Sequence, residues 1–167
     1  MGYTLPEVLA FLASTVFLSL VSYYDLKNRH VENMIMVVSV IIGTLLTLLS
    51  GHLFQFLLQH LLALSVTLLL ATLLFRAGAI GGADFKSLLI ISVMSPGAEF
   101  YDIINPLFEG VIVPMLQVLL MLVLGQIWCV FNRRNKADGE VTPPLLPFLL
   151  AGYLVLQTIP LLVIIML

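Results

Sequence analysis

Asp25 and Asp84 are the two side chains in this sequence best suited to do chemistry together. The second lies in Ile80-Gly81-Gly82-Ala83-Asp84-Phe85-Lys86, where three small residues precede an acid and an amine, with apolar sequence on both sides. Glycine adopts backbone angles closed to other residues and lets other atoms approach the main chain. An acid beside hydrocarbon is costly to keep, so it is read as functional by default, with a partner to be named. The partner is Asp25. Two carboxylates within a few ångströms of each other do not both ionise readily. They share a proton, so one can act as base on a water while the other polarises a carbonyl, and the pair titrates as a unit. This chemistry needs no metal, no cofactor and no nucleophilic side chain.

Structural roles compete with that reading. Asp84 could be the N-cap of the helix that follows, a place where aspartate is favoured by an amide hydrogen bond and by the helix dipole. Asp25 could be a plain loop charge balanced by Lys27 and Arg29, but an anion closing a helix opposes the dipole. The coincidence of side, depth and flanking residues favours function for the pair.

The elements that must position these acids are membrane helices. The chain has 167 residues, of which 61% are hydrophobic and 10% charged, against roughly 25% charged in a soluble domain. The composition implies an all-α, multi-pass membrane protein forming a single integral-membrane domain over residues 1–167. The lone Cys129 excludes an internal disulfide and a zinc module of the Cys-x-x-Cys type, so no soluble zinc-binding domain is expected. No basic surface is available for nucleic acid. The first apolar segment lacks a basic n-region and is read as a retained helix.

A spanning helix needs about 20 apolar residues. Six segments qualify or nearly do: about Leu5 to Tyr24, Met34 to Leu49, Leu53 to Phe75, Asp84 to Ser95, Val111 to Val130 and Leu145 to Leu167. Pro114 is expected in the first turn of the fifth. The loops after the first, third and fifth segments hold Lys27, Arg29, Arg76, Lys86, Arg133, Arg134 and Lys136, every Lys and Arg in the chain. The positive-inside rule puts those loops at the cytoplasm and both termini outside. Both acids then fall at the cytoplasmic edge. The fourth segment rises only about 18 Å against a hydrocarbon core of about 30 Å. The Gly-rich loop therefore dips below the surface, or the following acidic loop completes the span. A dipping loop must line a wet, protein-walled cavity, since lipid cannot satisfy its backbone groups.

On these residues the sequence resembles the type IV prepilin peptidase family, which includes the archaeal preflagellin peptidases, GxGD-type aspartic proteases of the membrane. The first acid lies in Asp25-Leu26-Lys27-Asn28-Arg29-His30-Val31-Glu32-Asn33, similar to the family's Asp-Leu-Lys-x-Arg-x-Val-Pro-Asn. The second lies in Gly81-Gly82-Ala83-Asp84-Phe85-Lys86, similar to Gly-x-Gly-Asp-x-Lys. Pro144-Leu145-Leu146-Pro147-Phe148-Leu149 resembles the segment opening the last helix. The resemblance implies that Asp25 and Asp84 are the catalytic acids and that Gly81, Gly82, Ala83 and Lys86 form the active-site loop. The implied substrates are pilin-like precursors, cut at the cytoplasmic face so that a short basic leader is lost and the hydrophobic helix stays on the mature subunit. It also implies a cell-membrane protein of a prokaryote, with the Gly-Gly-Ala-Asp form pointing to archaea.

Two departures matter. Ala83 replaces the second glycine and would be strained if that position needed positive φ. Glu32 replaces the common proline. The N-terminal zinc-binding domain of many bacterial relatives is not expected here, so methylation of the cleaved subunit is not implied.

Glu32 and Asn33 are candidate substrate-binding residues; Glu32, with Asp138 and Glu140, would attract a basic leader or simply balance nearby cations. Lys86 either tunes Asp84 through its charge or is an ordinary snorkelling lysine. His52 and His60 near the outer face have no third ligand, so no metal site is expected. Gly43, Ala63, Ser65 and Gly125 are expected at close helix contacts. A presenilin-like protease cutting within helices, and a small proton-coupled transporter using the same acids, are the alternative functions.

Overall fold

The computed structural model describes residues 5–49, 51–97, 105–133 and 143–166. Among them every regular element is helical: α1 (Leu5–Asn28), α2 (Asn33–Leu49), α3 (His52–Gln55), α4 (Leu57–Arg76), α5 (Gly82–Met94), α6 (Pro106–Arg133) and α7 (Leu145–Met166). Val8–Asn28, Leu57–Arg76 and Pro106–Asn132 are long and apolar enough to cross a membrane, while Asn33–Leu49 and Leu145–Thr158 are shorter apolar stretches.

Several boundaries differ from expectation. α1 does not stop at Tyr24, because Asp25-Leu26-Lys27-Asn28 contains no helix breaker and continues the helix. Arg29 ends it in the left-handed region at φ 52, with its N–H on the Asp25 carbonyl at 3.1 Å. That conformation costs a non-glycine residue about 1–2 kcal/mol. The expected third helix is broken at Phe56 (φ −119, ψ 33) into α3 and α4. α6 starts at Pro106, before the expected Val111, because Asn105 caps it: its Oδ1 accepts the Leu107 N–H at 3.1 Å. Proline suits the first helical position, where its missing N–H is not needed. Glu109 therefore belongs to the first turn of α6 rather than to a loop, and Pro114 lies inside the helix, beyond its first turn.

The helices form a ring in which neighbours run α4, α6, α7, α1, α2, with α5 joining α2 back to α4 and also touching α1 and α7. α5 is the most enclosed element, burying Ser87, Leu88, Ile90, Ile91, Ser92 and Met94. A helix apolar on all sides belongs in the interior of a bundle. Its 13 residues rise about 20 Å, too little to span about 30 Å of hydrocarbon.

A left-handed glycine turns the chain from α4 toward α5. Gly78 has φ 72, with Gly78 N–H on Phe75 O at 3.0 Å and Ala79 N–H on Leu74 O at 2.9 Å, the paired bonds of a Schellman motif. At the far end of α5, Gln157 Nε2 donates to the Gly97 carbonyl at 3.0 Å and Tyr153 Oη donates to Ser95 Oγ at 3.3 Å, all buried. Gln59 Nε2 donates to Glu109 Oε2 at 3.2 Å and ties α4 to α6.

Of the small residues expected at helix contacts, Gly43 presses against Met94, Gly125 against Leu145, and Ala63 is buried, whereas Ser65 is exposed. At Gly43 an added Cβ would collide with Met94 Cγ and lie 2.9 Å from its Sδ. Gly43→Val is expected to destabilise the fold by about 1–3 kcal/mol through overpacking, and Met94→Ala in the same chain to recover most of that loss. Thermal unfolding in detergent of the two single variants and the double variant checks this; additive losses would contradict the contact.

Candidate active site

Asp84 is the third residue of α5, not its N-cap. The N-cap is Gly81, in extended backbone at φ −84 and ψ 170. Asp84 Oδ2 accepts the Gly81 N–H at 2.8 Å. This is half of a capping box, since glycine has no side chain to return the bond. The loop glycines serve different ends. A Cβ on Gly81 would stand 3.2 Å from Asp84 Oδ2, whereas one on Gly82 would meet nothing. Ala83 lies within α5 and does not adopt positive φ, so its departure from Gly carries no strain.

Burial pushes the Asp84 carboxyl up from 3.8 to about 6; the Gly81 hydrogen bond acts the other way, and the charge of Asp25 adds to the rise. The last of these causes joins the two acids electrostatically across a long stretch of sequence. Asp25 stands in the last turn of α1, and its carboxylate takes a backbone hydrogen bond from Leu146 in the first turn of α7. Its Oδ2 is buried without a hydrogen-bond partner. A buried, unbonded oxygen is costly and is found where a catalytic role or a bound species explains it. Arg29 places its charge close enough to act on Asp25.

The two sequence motifs also meet directly. Lys86 Nζ donates to Asn33 Oδ1 at 2.6 Å, tying α5 to the first residue of α2. Phe85 of α5 packs its ring 5.7 Å from that of Phe75 near the end of α4. The end of α1 and the starts of α2, α5 and α7 therefore converge at one end of the bundle. Glu32 is exposed and lines a groove between α1 and α2. Asp138 and Glu140 lie outside the described residues.

Sequence reasoning missed the Leu146 amide, which acts through its backbone. The signal was positional: the first amides of a helix have no partner within it and point at anions, and Pro143-Pro144 marks that start. It also passed over the left-handed Arg29. At the opposite end of the bundle, His52 Nδ1 and His60 Nε2 lie 3.1 Å apart, and among the described residues no group of three His, Cys, Asp or Glu is placed to hold a metal.

A family model described as the type IV leader peptidase family matches residues 12–156, most of the chain, and the match contains both aspartates. No curated protein and no solved structure matches the chain.

The elevated Asp84 value has a direct consequence for stability. A carboxyl that binds its proton more tightly when folded contributes stability below its unfolded value of 3.8, and that contribution is lost as pH rises through about 6. The full swing is on the order of 2–3 kcal/mol. Asp84→Asn, which imitates the neutral acid, is expected to flatten the fall in melting temperature that the wild type undergoes across this interval. Parallel melting curves for the two proteins from acid to neutral pH would refute the assignment.

Proposed function

The chain belongs to the type IV leader peptidase family, and on that premise we propose that it is an aspartic endopeptidase that removes the basic leader of pilin-like precursors. One observation carries the reading: the buried carboxyl of Asp84 feels the charge of Asp25, although the two arrive on different helices. Asp84 is buried and Asp25 only partly so, and unequal environments divide the acid and base roles of a carboxyl pair. Burial favours neutral Asp84, which is the acid that polarises the scissile carbonyl. Asp25 is then the base.

In the proposed step, Asp25 takes a proton from a water as the water oxygen bonds to the carbonyl carbon. Asp84 gives its proton to the carbonyl oxygen. The tetrahedral intermediate collapses when the carbon–nitrogen bond breaks, with the proton held by Asp25 passing to the leaving amine. The second hydroxyl proton returns to Asp84, so both acids regain their starting states. Asn33 and Lys86, joined at the edge of the site, orient the leader backbone.

The working geometry is a multi-pass chain of six membrane segments with both termini outside and the acids at the cytoplasmic face. Support comes from the sequence distribution of Lys and Arg and from the convergence of Asp25, Asp84 and Leu146 at one end of the bundle. The Gly-Gly-Ala-Asp form supports an archaeal relative as the setting.

Co-expression of a pilin-like precursor with the wild type, Asp25→Asn and Asp84→Asn tests the proposal. Each substitution is expected to slow leader removal by about 100-fold or more, the scale of a lost general acid or base, with the protein still folded in the membrane. Wild-type rates from either variant would eliminate the dyad.

A further inference from the structure

α1 and α2 leave between them an apolar groove of about 550 Å³. Leu12, Val16 and Leu20 line one wall and Val38 and Ile42 the other, and each of these five is between 41% and 59% exposed. Met94, from the end of α5, reaches the same space. The lining extends from Leu9 to Leu20 on α1 and from Met34 to Leu46 on α2, about three helical turns or roughly 17 Å. The one charged residue along it is Glu32, which sits at the end where α2 begins. The next residue, Asn33, holds Lys86 at 2.6 Å, and Lys86 lies in the first turns of α5 with Asp84. The groove thus leads, through three named residues, to the pair of acids.

We propose that this groove seats the hydrophobic helix of the precursor, with Glu32 meeting the basic leader that flanks it. The inference rests on the reading that the chain trims pilin-like precursors, and it names how they are held. Dimensions and charge both support it. A helix of about 10 Å diameter and 17 Å length fills roughly 1,300 Å³, so the groove accommodates one face of a helix and leaves the other to lipid. Helix-in-groove recognition of this kind takes its affinity from apolar anchors at helical spacing. Association within a bilayer gains from close packing rather than from hydrophobic burial, which a long complementary groove supplies. The single anion at the end nearest the acids matches a helix whose cations precede its apolar run. A helix so seated carries the junction between leader and apolar segment, the bond to be cut, toward Asp25 and Asp84.

Photocrosslinking in membranes tests the docking apart from the chemistry. A photoreactive phenylalanine analogue is placed at Leu12 or at Val38, with Leu69 of α4, which is 63% exposed, as the lipid-facing control. Each is built into the full chain carrying Asp84→Asn and expressed with a pilin-like precursor. The precursor is expected to crosslink at positions 12 and 38 and not at 69. In the otherwise unaltered enzyme, Ser39→Trp, which fills the groove, is expected to raise KM for the whole precursor about tenfold with little change in kcat, the signature of lost uniform binding. Cleavage of a short leader peptide lacking the helix should be unchanged. Crosslinks only to lipid or to a second copy of this chain, or equal slowing of both substrates by Ser39→Trp, would overturn the groove assignment while wild-type trimming still upheld the protease. Failure of the wild type to trim any precursor would remove the protease reading, and the docking inference with it.

Discussion

The cost of holding the Asp84 carboxyl among hydrocarbon side chains governs much of this structure. An acid exposed to lipid would be prohibitively expensive, and an acid at a fully hydrated surface would behave like any other aspartate. α5 resolves this by being short and enclosed. Four other helices contact it, so Asp84 is surrounded by protein on a helix of 13 residues. The Gly81 amide and the position in the first turn of α5 favour the anion, whereas burial and the charge of Asp25 oppose it. The balance leaves the carboxyl pushed up to about 6.

Asp25 poses the complementary problem. At the end of α1 it sits against the negative pole of its own helix. The start of α7 supplies the remedy, because the Leu146 amide donates to the carboxylate and the positive pole of α7 lies at the same place. Arg29 adds a nearby charge, and its left-handed backbone ends α1 at Asn28. Each acid is thus held by a helix N-terminus, Asp84 by its own and Asp25 by that of a distant segment. The end of α1 cannot be moved from the start of α7 without leaving a carboxylate poorly solvated.

The acids stood out in the sequence as candidates because a charge at the edge of an apolar run has few inexpensive explanations, and the structure brings the charge of Asp25 to bear on Asp84. The helices were legible because apolar runs long enough to cross a bilayer are rare by chance. Their ends were less so. Asp25-Leu26-Lys27-Asn28 reads as a polar loop by hydropathy, yet it contains neither glycine nor proline and so remains helical. The residue that stops it, Arg29, carries no propensity signal for the left-handed region. Asn105-Pro106 did carry one, an N-cap followed by proline at the first helical position, but a reading led by hydropathy begins the helix at Val111. The break at Phe56 has no glycine or proline at that position to announce it. Leu146 was invisible for another reason: its contribution is a backbone amide, and residue type says nothing about where a main-chain N–H will point.

The glycine run carries the last lesson. Three small residues before an acid suggest a pliable loop, and a pliable loop would let the acids find each other by local adjustment. The conformations argue otherwise. Gly81 is extended, Gly82 and Ala83 are already helical, and only Gly81 is needed to leave room for the Asp84 carboxylate. Asp84 is therefore fixed to the axis of α5 and Asp25 to the axis of α1, each by helical backbone. Any change in their separation has to come from movement of one helix against the other. Left-handed residues stand beside both helices, Gly78 before α5 and Arg29 after α1, and each is tied back to the preceding helix by a backbone hydrogen bond.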